Sequence, residues 1–291
     1  MSAGSARADG MAGVFVDLHS HSTASDGSKA PMAVVAAAGA AGLSAIALTD
    51  HDTTAGVQEA VEGGRGLGVR VIPGVELSAM EGEREIHILA LHLTRIEAIE
   101  DALRSFRDSR VVRAEQIVAK LNALGVPITM ESVLAQAAGG AVGRPHVARA
   151  LIGEGWARDS RDAFDRYLGA GKPAYVAKVR LSVADAIDLA HVGGGLAVLA
   201  HPGPEGRRET IERYVALGLD GVEVRHPGHS AEDIARLGTL VDFFGLVPSG
   251  GSDWHGASEG PRVLGAMRVP AEWLDRQEAR VAERRAAQQV A

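Results

Sequence analysis

One short apolar run after another in this chain ends in histidine or an acid, and that recurrence constrains the fold more than any other feature. Val14-Phe15-Val16 and Leu18 read as a buried strand delivering His19-Ser20-His21, with Asp26 close behind. Side chains on a strand alternate faces, so His19 and His21 can be aimed at one point. A lone His-x-His is equally well an exposed strand end. Here it is joined by Asp50-His51 after Ser44–Thr49, Glu76 after Val69–Val75 and His87 within Ile86–Leu93, then by His201 after Leu196–Ala200 and Asp253-Trp254-His255 after Leu246–Pro248. Ligand-binding residues of parallel α/β proteins gather at C-terminal strand ends, where most of these fall.

Helix signals separate the runs. Pro31 can open a helix through Ala38, because proline is tolerated in a first turn and alanine is the best helix former. A second helix is expected over Gly56–Glu62, broken at Gly63-Gly64, and a strand interrupted at Pro73 follows. This alternation predicts a parallel sheet with crossover helices. His87 and His92 fall on opposite strand faces by parity, so they are not expected to share a site. From residue 98 to about 177 the pattern is helical and supplies no ligand-bearing strand end. That stretch reads as a helical insertion between the barrel segments 14–97 and 178–291, with residues 1–13 as a disordered tail.

Composition narrows the chemistry. The chain has 291 residues and no cysteine, so a metal site could use only imidazole and carboxylate. A net charge of −7 argues against stable binding of long nucleic acid on a basic surface. Neither a signal-peptide core nor a membrane-length apolar run is present, which points to the cytoplasm. In the insertion, Arg104, Arg107, Arg110 and Arg113 recur every three residues and read as a solvated helix face balanced by Asp101, Asp108 and Glu115. Arg144 precedes a helix start, and both a guanidinium and a helix N-terminus favour an anion.

Nine donors, His19, His21, Asp26, His51, Glu76, His87, His201, Asp253 and His255, exceed what one metal needs. The motifs Asp17-Leu18-His19-Ser20-His21, Thr49-Asp50-His51, Ala200-His201-Pro202-Gly203 and Ser252-Asp253-Trp254-His255 resemble, in order, those of the PHP (polymerase and histidinol phosphatase) superfamily of metal-dependent phosphoesterases. The resemblance implies an α/β fold, a distorted (β/α)7 barrel, with three divalent metal ions at its mouth. Carried over, His19, His21, Glu76 and Asp253 hold one ion, Glu76 bridges to a second held by His87 and His201, and Asp26, His51 and His255 hold the third. Manganese is the metal the resemblance favours, and zinc or iron suits the same donors.

Three such ions bring more positive charge than Asp26, Glu76 and Asp253 neutralise, which suits a multiply charged anion. A hydroxide bridging two metals would then attack phosphorus without a side-chain nucleophile. The insertion, Gly143-Arg144-Pro145-His146 and the run Glu223–His229 resemble a nucleotide phosphatase and 5′-3′ exoribonuclease branch. The expected substrate is a nucleoside 3′,5′-bisphosphate or AMP, with short 5′-phosphorylated RNA as an extension. Arg144 and Lys172 are expected to contact substrate phosphate, and His226 or His229 to contact phosphate or protonate the leaving oxygen. His146 is expected to pack or cap, and Asp50 and Asp52 to orient His51 as acceptors. Two other readings compete: a histidinol-phosphate phosphatase, and a non-catalytic module that uses metals to stabilise its fold. The sequence leaves oligomeric state open.

Overall fold

The computed structural model describes residues 14–137, 142–177 and 181–290, so the expected tail, residues 1–13, lies outside the described residues. The apolar runs become strands β1 (Phe15–Asp17), β2 (Ala45–Leu48), β3 (Arg70–Glu81), β4 (Arg84–Leu91), β5 (Leu181–Ser182), β6 (Leu196–Leu199), β7 (Gly221–Arg225), β8 (Val247–Gly250) and β9 (Val269–Pro270). Among the described residues they form a nine-stranded sheet in the order β8-β7-β6-β4-β3-β2-β1-β9, with β5 added to β3. Beyond the two ends of this order, the Leu18 amide donates to the Gly250 carbonyl (3.0 Å) and Ser20 bridges Trp254. The sheet thereby curls into a nearly closed barrel, the α/β architecture the resemblance implied.

Helices α1 (Pro31–Ala40), α2 (Val57–Leu67), α7 (Val183–Val192), α8 (Arg208–Ala216), α9 (Ala231–Phe244) and α10 (Ala271–Val290) accompany the strands. Local chemistry fixes their ends. Pro31 starts α1, while Ser182 and Ser230 cap α7 and α9 through reciprocal bonds with Asp185 and Asp233. Covered on both faces, β2, β6 and β8 are buried at every position, as parallel strands must be. Val16, Leu18, Leu89, Leu91, Leu196 and Val198 belong to one apolar cluster, which Leu274 and Val281 of α10 join.

The structure corrects the expected order in three places. Only Gly82 and Glu83 separate β3 from β4, so the pair is an antiparallel hairpin, and β4 runs antiparallel to β6 as well. A crossover helix needs a dozen or more residues, and none are available there. Next, α2 continues through Gly63-Gly64. A Cβ at Gly64 would stand 2.5 Å from the Val69 carbonyl oxygen, so the glycine serves close packing rather than a break. Finally, β3 runs through Pro73, whose carbonyl accepts from the Leu93 amide (3.0 Å).

The helical stretch consists of α3 (Ile96–Ala123), α4 (Met130–Ala137), α5 (Arg144–Gly153) and α6 (Ser160–Ala163), the last running into a π-helical turn over Phe164–Leu168. Helix α3 straddles the expected boundary at residue 98. Its Ile99 and Leu103 pack in the layer outside the barrel with α7 and α8, whereas Ala114, Ile117, Val118 and Leu121 join a separate apolar cluster with α4 and α5.

At the end of the barrel where the parallel strands begin, the buried groups Asp220 and His92 both have hydrogen-bond partners. Asp220 accepts from the Ala197 amide (2.9 Å), from His191 Nε2 (2.8 Å) and from Arg284 (2.9 Å). His92, at φ 62°, donates through Nε2 to Gln277 (3.0 Å), whose amide in turn donates to the Pro248 carbonyl (2.9 Å). Among the described residues, no helix is long and apolar enough to cross a membrane.

Candidate metal centre

The opposite end of the barrel gathers all nine donors. Strand β1 stops at Asp17, and an extended segment carries His19 and His21 onward with ring centroids 5.2 Å apart. Asp17 pins that segment to the neighbouring loops, accepting from the amides of Ser252 (2.9 Å) and Gly265 (3.0 Å). Gly251 makes the close approach possible, since a Cβ there would lie 2.5 Å from the His19 backbone nitrogen. His51 follows β2, Glu76 lies within β3, His201 follows β6, and Asp253 and His255 follow β8. His87 arrives differently: because β4 is antiparallel, its N-terminal half lies at this end, with His87 opposite Ser78 of β3.

Glu76, fully buried, sits at the centre. Its Oε2 lies 3.1 Å from His19 Nε2, 3.2 Å from His21 Nε2 and 3.4 Å from His51 Nδ1. Its Oε1 faces the other way, 2.7 Å from His87 Nδ1 and 3.0 Å from His201 Nε2. Asp253 Oδ1 approaches His21 Nε2 (3.2 Å) and His19 Nε2 (3.5 Å), while Asp26 Oδ1 lies 3.1 Å from His255 Nε2. Burial alone would raise the Glu76 carboxyl, but His19 and His51 outweigh it and hold it well below the usual carboxylate range. Burial lowers the His51 imidazole to about 4, whereas bonds to Glu76 and Glu85 overcome burial and raise His87 to about 10.

Ligand atoms converge into three groups able to hold a metal ion: His19, His21, Glu76 and Asp253; His21, Asp26, His51 and His255; and His51, Glu76 and His87. The fit to metals rests on the donors themselves. Both ring nitrogens of His21 are buried without a hydrogen bond of acceptable geometry, although carboxylate oxygens lie near Nε2. Such nitrogens are costly unless something else satisfies them. Nitrogen and oxygen donors without sulfur suit first-row divalent ions. Backbone strain also concentrates here: Asp52, His201 and Asp253 all adopt positive φ.

Around the donors, several roles differ from those expected. Asp50 accepts from the Ser22 amide and hydroxyl (both 2.7 Å) and from Ser25 (2.7 Å), so it holds the loop between His21 and Asp26 rather than His51. Asp52 accepts from the Ser78 amide and hydroxyl (both 2.8 Å) and pairs with Arg110. His229 donates through Nδ1 to the Val224 carbonyl (2.9 Å) and accepts at Nε2 from the Gly203 amide (3.1 Å). The backbone thus engages both of its ring nitrogens. His226 accepts at Nδ1 from the Gly228 amide (3.0 Å), which leaves the Nε2 proton facing Asp253 Oδ2 (3.4 Å).

A cavity of about 560 Å³ opens between the donors and the helical stretch. Asp26, His51 and His87 form one wall, and Arg110, Arg113, Arg144, Phe164 and Tyr175 line the other. The Arg144 guanidinium lies 5.5 Å from the centroid of Phe164 and 5.7 Å from that of Tyr175. His146 caps its own helix, accepting at Nδ1 from the Gly143 amide (2.9 Å). Lys172, for which a phosphate contact was expected, is exposed and not among the described residues lining this cavity. Arg110 and Arg113 were expected on a solvated face, and their place in the cavity wall had no signal in the arginine spacing. Arg262 also went unnoticed; it pairs with Asp253 and lines a second cavity, about 410 Å³, on the side of His201 and His226.

Known proteins resemble this arrangement along most of its length. The model of the PHP domain matches residues 17–168. A 3′,5′-nucleoside bisphosphate phosphatase of Chromobacterium violaceum is 37% identical over 86% of this chain and 90% of its own. The 5′-3′ exoribonuclease Rnm of Salmonella typhimurium is 37% identical over 87% of this chain and 89% of its own. A crystal structure from Bifidobacterium adolescentis, described as a putative metal-dependent phosphoesterase, superposes with a TM-score of 0.76 at 32% identity, covering 92% of this chain and 96% of that one. The expected resemblance therefore holds across barrel and helical stretch alike, and this chain belongs to the PHP-domain family, as a hydrolase of phosphoester bonds.

Proposed function

We propose that this protein removes phosphate from a nucleoside 3′,5′-bisphosphate or AMP and also trims short 5′-phosphorylated RNA. One observation carries the reading: the donor cluster shares its cavity with three arginines and two aromatic rings. A substrate with its reacting phosphate at the donors would have cations for a second phosphate and flat surfaces for a base within one enclosure. The phosphatase and exoribonuclease names of the relatives point the same way.

In this reading His19, His21, Glu76 and Asp253 hold one ion, Glu76, His87 and His201 a second, and Asp26, His51 and His255 a third, with manganese preferred and zinc or iron fitting the same donors. The opposed oxygens of Glu76 suit a carboxylate shared between two ions. Bound divalent ions supply Lewis acidity toward phosphoryl oxygens and ionise water near neutral pH. The helices α3–α6 act as a cap over the mouth. Arg113 and Arg144 hold the non-reacting anionic group, and the Arg144 guanidinium is kept in place by Phe164 and Tyr175. His226 carries its Nε2 proton at the edge of the cluster and delivers it to the leaving oxygen.

The test is phosphate release from adenosine 3′,5′-bisphosphate, 5′-AMP, 3′-AMP, histidinol phosphate and a short 5′-phosphorylated RNA, with added Mn²⁺. We expect the bisphosphate or AMP to be fastest and Asp26→Ala to lose at least about 100-fold, a few kcal/mol of transition-state stabilisation. Equal rates for the two proteins would remove the metal assignment. Histidinol phosphate turned over far faster than any nucleotide would remove the nucleotide reading.

A further inference from the structure

Glu223 enters neither the donor groups nor the cavity wall of the substrate, yet it is completely buried behind them. It lies in the middle of β7, between Val222 and Val224, which face outward into the helix-packed core. The alternation of strand side chains turns Glu223 the other way, into the barrel. The register between β7 and β8 shifts between Glu223 and Arg225, an irregularity of the kind that re-aims a side chain beside a site.

Two contacts define what the carboxylate does. His19 Nδ1 lies 3.2 Å from Oε1 and 3.3 Å from Oε2, and the backbone amide of His201 donates to Oε2 (2.8 Å). The first contact selects one ring nitrogen. With its Nδ1 proton committed to Glu223, His19 presents the Nε2 lone pair toward Glu76 and Asp253, at 3.1 and 3.5 Å. The second acts on the backbone, because His201 sits at φ 28°, a conformation that L side chains avoid and that its surroundings must enforce. A single buried carboxylate thus connects two histidines from different strands, one on each side of Glu76.

We propose that Glu223 is the positioning residue of the metal centre: it fixes the His19 ring with Nε2 outward and clamps the strained His201 peptide, so that both sides of Glu76 are set by one group. The inference rests on the reading of the cluster as a metal site. Glutamine is the informative replacement, since it keeps the shape but has one acceptor oxygen to serve two donors and turns an N–H₂ toward one of them.

The probe is the metal itself. Mn²⁺ and Zn²⁺ affinities of wild type and Glu223→Gln, measured by competition with a chromophoric chelator, should differ by 10- to 100-fold for at least one ion, the range typical when such an outer carboxylate is lost. Nitrogen-15 spectra of the histidine rings in the zinc-loaded wild type supply a readout that needs no variant: His19 should coordinate through Nε2 and keep its proton on Nδ1. Ligation through Nδ1 overturns the proposal, as does a folded Glu223→Gln protein with wild-type affinity for every ion. Wild-type protein that takes up no metal overturns the metal reading as well, whereas metal uptake with unchanged variant affinity overturns the role of Glu223 alone.

Discussion

The two ends of the barrel hold buried histidines and carboxylates in comparable surroundings but satisfy them in opposite ways. Where the strands begin, Asp220 meets one guanidinium, one imidazole and one amide, and His92 meets a neutral glutamine. Each group has a partner of matching hydrogen-bond character. Where the strands end, five imidazole nitrogens crowd around the two oxygens of Glu76, and His21 keeps two buried nitrogens without a hydrogen bond. Residue type and burial therefore do not distinguish the two ends; the crowding of several imidazoles onto one carboxylate does.

Three substitutions test that contrast, in decreasing order of effect. Glu76→Gln should lower kcat/KM about 1,000-fold and reduce bound metal, because losing an ion forfeits several kcal/mol of charge stabilisation; elemental analysis beside steady-state kinetics reads both, and full metal content with full activity would erase the distinction between the ends. Asp220→Asn should cost about 3 kcal/mol of stability, the typical consequence of breaking a buried ion pair. Metal content and kcat should stay at wild-type values, so a loss of bound metal in this variant would show the ends to be coupled.

The smallest effect belongs to His92. Burial outweighs its bond to Gln277 and lowers its pKa, so the folded state resists a proton that the unfolded state accepts. The contribution is complete above the unfolded value of about 6.5 and is lost as pH falls below it, with a slope of at most about 1.4 kcal/mol per pH unit. Asparagine tolerates the left-handed backbone at this position. Denaturant titrations of wild type and His92→Asn at pH 5.5 and 7.5 should show a shallower acid loss in the variant, and parallel losses would exclude His92 as a source.

Much of the donor cluster was legible in the sequence because strand ends announce themselves: an apolar run stops and a histidine or acid follows. His19, His21, His51, Glu76, His201, Asp253 and His255 were found that way. Glu223 was noticed only as the start of the Glu223–His229 run and received no role, since it interrupts an apolar run instead of ending one and its partner His19 lies 204 residues away in the chain. Arg110 and Arg113 were lost for another reason. A row of arginines with nearby acids has the pattern of a solvated helix face, and only tertiary packing turns that face toward a cavity. The hairpin β3–β4 was readable in principle, because no crossover helix fits between Glu81 and Arg84; the expected helix–strand alternation masked it.

The reversal of β4 has a consequence for how the cavity at the barrel mouth is measured out. A parallel strand would release the chain at the mouth, but β4 releases it at the opposite end, and the polypeptide must climb back. Helix α3 makes that climb, with Ile99 and Leu103 set against the barrel flank and Arg110 and Arg113 reaching the cavity. From Ile96 to Arg110 the ascent is about 21 Å at 1.5 Å per residue. The helix is therefore a ruler: removing one turn of it would retract the guanidinium groups by about 5 Å while leaving every residue at the mouth in place. The reach of the arginines into the cavity is written in the number of residues between the foot of the barrel and its rim.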